Sequence, residues 1–342
     1  LLHKHWPDGG ARQKFVVIDG ASESSMALPD LDIVEFNGNG RNLARALDHA
    51  GPVDVLLHYA GRAYHAYGSP VWLPAVLSRW KQKCPAGRLT VLFHEIPPKL
   101  PFSSRHYWMN LGNERVIRKL AGLADVLITN TSEHVAKLER ISGRRDVHRV
   151  PVGSNIEPSE FSVQQRKRTE FVVFGLPFGR WQTLEMFNRE IPSWQENGHL
   201  ARLHLIGPRD AKFDRRSDRL IETYPNPASV VIQGEMPPAE ISRLLASAQF
   251  ALSNAGPENW SKSSTFMAYA AHGCAIVSEW KSESVPLSFV VRPGEVTTVS
   301  DGELRERTES LHEWYAKNAA WDVIARRISE IASDQSALTP TD

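Results

Sequence analysis

An α/β fold built from two doubly wound parallel-sheet domains is what this sequence predicts, on three observations. The chain has 342 residues, longer than one hydrophobic core usually grows. Short continuous apolar runs alternate with stretches of helical spacing, the mark of strands covered on both faces by crossover helices. That alternation runs once, breaks at a polar stretch (159–169, containing Gln164, Gln165, Arg166, Lys167 and Arg168), and then starts again. Residues 1–160 are therefore assigned to a first domain, 161–304 to a second, and 305–342 to a helical tail packing back on the first. Two such domains are expected to face a central cleft, with ligands beyond the carboxyl ends of the strands.

The opening residues 1–6 read as the end of a helix closed by Pro7, Asp8, Gly9 and Gly10, with no cap before it. A domain of this class opens with a strand and a glycine-rich turn, so the first βα unit is expected to lie outside the sequence as given. Residues 15–18 and 33–36 read as strands, with 37–40 as a turn, and 41–49 have helical spacing. Residues 53–57 form the next strand, with His58 and Tyr59 at its carboxyl end. A helix over 71–83 follows, then a strand over 89–93 whose end carries His94 and Glu95. A helix around 113–123, a strand over 126–129, a capped helix from Ser132 and a strand over 148–152 close the first half.

In the second half, the strand at 171–174 leads into Gly175 and Arg180, with a helix from Thr183. The strand at 203–206 ends in Gly207 and Pro208. The strand at 230–232 ends in Gln233, Gly234, Glu235 and Met236, ahead of a helix over 239–247. Strands over 250–252 and 275–278 complete a second sheet, and 305–333 is mainly helical.

Composition narrows the function. Net charge is +1, which gives no global reason for a nucleic-acid partner. The two cysteines, Cys84 and Cys274, fit no metal-ligand spacing, and a reducing, cytoplasmic setting is the simpler expectation. No apolar run approaches a membrane span, and none of the residues as given reads as a signal peptide. Eight Lys or Arg face four Asp or Glu between 115 and 149, an excess that would suit peripheral contact with an anionic membrane surface. No HExxH-type histidine signature and no acidic pair at a strand end appears, so neither a metal nor a cofactor is expected.

The segment from Glu258 to Val277 carries the most chemistry. A turn-rich run leads into Lys262, Ser263, Ser264 and Thr265, then an apolar stretch of helical length, Gly273, and a β-type run. Hydroxyls and unpaired N–H groups at a helix start, with a lysine beside them, make an anion site.

This segment resembles the donor-binding helix of GT-B glycosyltransferases, especially the GT4 group, whose pattern there reads roughly Glu-Ala-Met-Ala-x-Gly-x-Pro-Val-Val. The motifs around His94, Thr129, Gly153, Gly175, Gly207 and Gly234 resemble that superfamily in order and spacing. The resemblance implies a GT-B fold and transfer of a hexose from a nucleotide sugar, UDP-glucose or a similar UDP-hexose, with GDP-sugars behind it. The acceptor implied is a glycan or lipid-linked saccharide of a bacterial surface polysaccharide, and the implied stereochemistry is retention. His94 corresponds to a histidine facing the transferred sugar, and His58 and Tyr59 to the acceptor side. Gly175, Arg180, Gly207, Gln233, Gly234, Glu235, Met236, Glu258, Lys262, Ser263, Ser264 and Thr265 correspond to the donor side, with the turn at 233–236 pairing with the base. Departures are specific. The pair of glutamates eight positions apart falls here on Trp260 and Ala268, and the usual phosphate-binding arginine on Leu176, leaving Arg180 as the nearest cation. A binding protein without turnover and a sugar-nucleotide epimerase of the same architecture are the alternatives.

Overall fold

The computed structural model describes residues 2–7, 14–18, 32–36, 40–98, 101–158 and 166–334. The turn at 37–39 and most of the polar stretch (159–165) lie outside the described residues. The chain divides into two compact units, one comprising Leu1–His5 and Pro151–Ile324, the other Trp6–Val150 and Ala325–Asp342. Residues 305–342, read from sequence as one tail, are thus shared between the units.

In the unit containing Trp6–Val150, β1 (Lys14–Ile18) and β2 (Asp32–Phe36) pair in parallel as a two-stranded sheet. Next come α1 (Gly40–Ala50), β3 (Val55–Tyr59), α2 (Gly61–Tyr64), α3 (Trp72–Lys83) and β4 (Leu89–Phe93). The remaining elements are α4 (Arg105–Leu123), β5 (Val126–Thr129), α5 (Ser132–Ser142) and β6 (Val147–Arg149). Strands β3, β4, β5 and β6 lie side by side in that order, all parallel. β4 and β5 are buried along their whole length, which is why they read as uninterrupted apolar runs. The cap of α5 is Thr131, not Ser132: its hydroxyl accepts from His134 N at 3.0 Å.

In the unit containing Pro151–Ile324, the order is β7 (Lys167–Phe174), α6 (Pro177–Met186), α7 (Glu190–Glu196), β8 (Arg202–Ile206), α8 (Ala211–Ile221) and β9 (Val230–Gly234). Then follow α9 (Pro238–Ser247), β10 (Ala248–Leu252), α10 (Ser264–Ala271), β11 (Ala275–Val277) and α11 (Asp301–Asn318). The last helix, α12 (Trp321–Ser333), begins in this unit and continues into the other. The five parallel strands lie in the order β11-β10-β7-β8-β9, so the chain reverses direction across the sheet between β7 and β10. Alternation along β7 sends Phe171 and Val173 into one core with α6 and α7, and Val172 and Phe174 into another with α9, α10 and α11.

Helix α6 begins two turns before Thr183, because Pro177 occupies its first turn, where a missing N–H costs nothing. Arg180 consequently sits inside a helix and not in a loop. Helix α8, which packs its narrow edge of Ser217, Leu220 and Ile221 inward, is capped by Asp210, whose carboxylate accepts from Lys212 N at 3.0 Å and Phe213 N at 3.1 Å. Among the described residues no helix is long and apolar enough to cross a membrane.

Candidate functional site

Each unit gathers its sequence-singled residues at the carboxyl ends of its strands, and each end is built differently. In the first unit, β3 runs to Tyr59, so His58 and Tyr59 are the last strand positions and point to opposite faces. Tyr59 goes inward. It is fully buried, its hydroxyl donates to Asn113 Oδ1 at 2.7 Å, and its ring meets Phe93 edge-on. It therefore cannot line an acceptor surface as the sequence suggested. His58 goes outward, and the ladder carries on past the strand end through His94 N, which donates to Tyr59 O at 2.9 Å. His58 pairs with Leu92, and His94 stands two residues beyond it, on the same face.

The two imidazoles stack at 5.2 Å, with His58 Nδ1 and His94 Nε2 at 3.0 Å. One nitrogen of that pair must donate and the other accept, so the tautomer of one ring dictates that of the other. Desolvation, and then the neighbouring His94, lower the His58 pKa to about 4, while desolvation lowers that of His94. Both rings are neutral near pH 7, able to donate and accept hydrogen bonds but carrying no charge. Glu95 is exposed.

In the second unit, the ends of β7, β8 and β9 are stitched together by main chain. Gly175 N donates to Ile206 O at 3.1 Å and Gly207 N to Gly234 O at 2.8 Å. Gly175 and Gly207 both adopt φ +135, and a side chain on Gly207 would overlap Gly175 O and the Arg180 guanidinium. Arg180 is 5% exposed, its Nη1 donating to Gly175 O at 2.6 Å and its Nη2 to Pro208 O at 2.7 Å. Asp214 on α8 lies 3.9 Å away, partly offsetting the desolvation that lowers the guanidinium pKa. Arg180 is thus bound to the loop carbonyls. The structure assigns it the shape of the turns, whereas the sequence offered it as a cation open to phosphate.

Helix α10 enters the same end. Ser263 is its N-cap and accepts from Phe266 N at 3.1 Å, so this hydroxyl closes the helix. The N–H groups of Ser264 and Thr265 take no intrahelical partner, and Thr265 Oγ1 would lie 3.1 Å from a Cβ on Gly175, so the glycine lets the helix start approach. Tyr269, wholly buried, accepts from Phe174 N at 2.7 Å and fixes α10 against the end of β7. Lys262 is exposed beside this helix start. The reversal between β7 and β10 lies here, the place where open α/β sheets hold ligands.

The remaining donor-side residues separate. Gln233 is half-buried and its Oε1 has no hydrogen-bond partner, Gly234 adopts φ +71, Glu235 is exposed, and Met236 packs on the core that holds α10. Glu258 is exposed and faces a cavity toward α6. Of the two positions where the resembling family keeps glutamates, Ala268 is fully buried. Trp260 packs edge-on against Trp314, ring centroids 5.3 Å apart. At both positions the side chain is held by packing and carries no carboxylate. Sequence reasoning did not find the His58–His94 bond, and only their shared placement at neighbouring strand ends signals it. Among the described residues no group of three or more His, Cys, Asp or Glu could hold a metal ion.

No protein-family profile matches the chain, and no curated protein matches it in sequence. Solved structures do. A glycosyltransferase from Rickettsia africae superposes with TM-score 0.62 at 11% identity, over 93% of this chain and 89% of that one. WaaG, a glycosyltransferase involved in lipopolysaccharide biosynthesis, gives TM-score 0.56 at 13% identity, over 85% of this chain and 94% of that one. The E. coli trehalose-6-phosphate protein bound with UDP-2-fluoro glucose gives 0.60 at 13% identity, over 86% of this chain and 77% of that one. At these identities the likeness establishes the fold. The chain has the GT-B fold.

Proposed function

We propose that the chain is a glycosyltransferase that moves a hexose from a nucleotide sugar to a saccharide or lipid-linked acceptor. One observation carries the reading. The Gly175 and Gly207 turns let the start of α10 approach the sheet's reversal, where the N–H groups of Ser264 and Thr265 at a helix N-terminus would meet a diphosphate. The GT-B relative bound with UDP-2-fluoro glucose supports a nucleotide-sugar donor, and WaaG supports a surface-saccharide acceptor. UDP-glucose or a similar UDP-hexose is the donor we favour, with a GT4-like retaining course and action on the cytoplasmic side.

In this reading Lys262 and the N–H groups of Ser264 and Thr265 take the charge that grows on the departing diphosphate. The turn at Gln233, Gly234, Glu235 and Met236 pairs with the base. Neutral His94, with its partner His58, hydrogen-bonds a hydroxyl of the transferred sugar and holds it for attack. The acceptor oxygen bonds to the anomeric carbon as the bond from that carbon to the diphosphate oxygen breaks. The electron pair leaves with UDP, and the acceptor proton passes to a diphosphate oxygen. The reaction so written needs no metal.

Calorimetry with UDP, UDP-glucose and GDP-mannose, run beside an assay for released UDP, tests the reading. Binding with turnover, and an α-configured product by NMR, supports it; an absence of nucleotide binding refutes it. A second reading rests on Trp260 and Ala268, where apolar packing stands in place of two carboxylates. Tight UDP binding without sugar release across a broad acceptor panel would favour that binding protein.

A further inference from the structure

We propose that the cavity between α6 and the loops after β10 and β11 binds a neutral saccharide, at a site separate from the nucleotide-binding turns. The cavity measures about 480 Å³, inside the ~300–1,000 Å³ that small ligands occupy. Its lining joins one aromatic ring (Trp280), three amides (Gln182, Asn254, Asn259) and two carboxylates (Glu185, Glu258) to an apolar remainder of Met186, Gly256 and Pro257. No Lys, Arg or His contributes to it.

Each part of that lining matches a pyranose and disfavours a nucleotide. Trp280 is 47% exposed at the mouth, a flat apolar surface for the C–H face of a sugar ring. Carboxylates accept from vicinal hydroxyls, and amides both donate and accept, which is the pattern a polyol requires. Neither Glu185 nor Glu258 has an ion-pair partner among the described residues, so their acceptor capacity is unused. Two unpaired carboxylates without a cation repel phosphate. Glu258 thereby passes from a donor-side candidate to a ligand of this saccharide. One ring with two carboxylates also suits a quaternary ammonium, but the three amides answer hydroxyls.

The wall is formed before any ligand arrives. Gly256 N donates to Asn259 Oδ1 at 2.8 Å, and Trp260 N to Gly256 O at 3.0 Å, closing the loop on itself. The indole lies directly on Gly256, where an added Cβ would stand 3.2 Å from the ring. Trp280 N donates to Ser278 Oγ at 3.1 Å, fixing the ring's approach. A site whose loop and aromatic face are already positioned loses little freedom on binding.

Saturation-transfer-difference NMR on the full chain, with maltose, cellobiose and N,N′-diacetylchitobiose as probes, tests the assignment. At least one disaccharide should give transfer that persists in excess UDP. Binding should weaken at least tenfold in Trp280→Ala and in Glu185→Arg, the second a change at an exposed position that leaves the fold intact. Transfer from none of the three, displacement by UDP, displacement by choline, or wild-type binding in Glu185→Arg would each overturn it. Failure of the donor reading shows separately, as absent UDP binding by calorimetry, and leaves the disaccharide result standing.

Discussion

The strand ends of the two units carry polar chemistry in opposite ways. At the end of β3 and β4 two side chains, His58 and His94, reach outward and bond each other, and their reactive nitrogens are the feature of the surface. At the end of β7, β8 and β9 the polar side chains turn back on the protein. Arg180 holds Gly175 and Pro208, Ser263 caps α10, and Tyr269 holds Phe174, which leaves the main-chain N–H groups of Ser264 and Thr265 to face a ligand. A side-chain site is written in residue identity, whereas a main-chain site is written in what the neighbouring residues permit. The second kind tolerates sequence change as long as the glycines and their supports remain, which fits a fold shared at 11% identity.

The contrast is open to direct attack, beginning where the effect should be largest. Gly207→Ala introduces a methyl group against Gly175 O and Arg180 at φ +135, and should cost about 2–5 kcal/mol in urea unfolding. A loss within experimental error would mean the turns are not held as described. Arg180→Met leaves the Gly175 and Pro208 carbonyls without their partner, and should cost about 3 kcal/mol. Loss of UDP affinity at full stability in that variant would return the guanidinium to phosphate binding. On the other side, His94→Ala should leave the melting temperature near wild type and lower turnover at least about tenfold, ~1.4 kcal/mol of barrier. Unchanged turnover removes the histidine pair from the reaction. Smallest of all, Ser263→Ala should cost about 1 kcal/mol of stability as a lost cap, with UDP affinity little changed.

Acidity separates the two ends as well. Although the His58 residue reaches the surface, desolvation of its ring within the fold and the neighbouring His94 favour the neutral form, so the unfolded chain takes up its proton first as the pH falls. Stability is therefore complete above about 6.5 and declines toward about 4. His272, buried behind α10 and also near 4, titrates in the same window. The informative quantity is thus the difference between wild type and His58→Gln, whose denaturation midpoint should decline less between about pH 7 and about pH 4.5.

How much was legible follows from where the information sits. β4 and β5 were readable to the residue because strands buried on both faces must be continuous apolar runs. Helix α8 was missed because most of its positions are charged and its contribution is one buried edge around Ser217 and Ile221. The first turn of α6 was read as loop because Pro177 and Gly179 look like punctuation, although proline suits a helix's opening position. His94 could be found by its place after a strand. The fate of Arg180 could not, since its partners include Pro208, which arrives from another strand 28 residues on. The apolar residues at 260 and 268 were visible as departures. That Trp260 meets Trp314 edge-on depended on a helix more than fifty residues later.

The bond between His58 and His94 has a consequence for charge. Two rings that meet nitrogen to nitrogen at 3.0 Å titrate as a coupled pair, and a second proton is disfavoured because its positive charge would sit beside the first. A proton arriving at either ring locks the other as acceptor. The pair can therefore report, through its carbon and nitrogen chemical shifts, on whatever hydroxyl occupies the far nitrogen of His94.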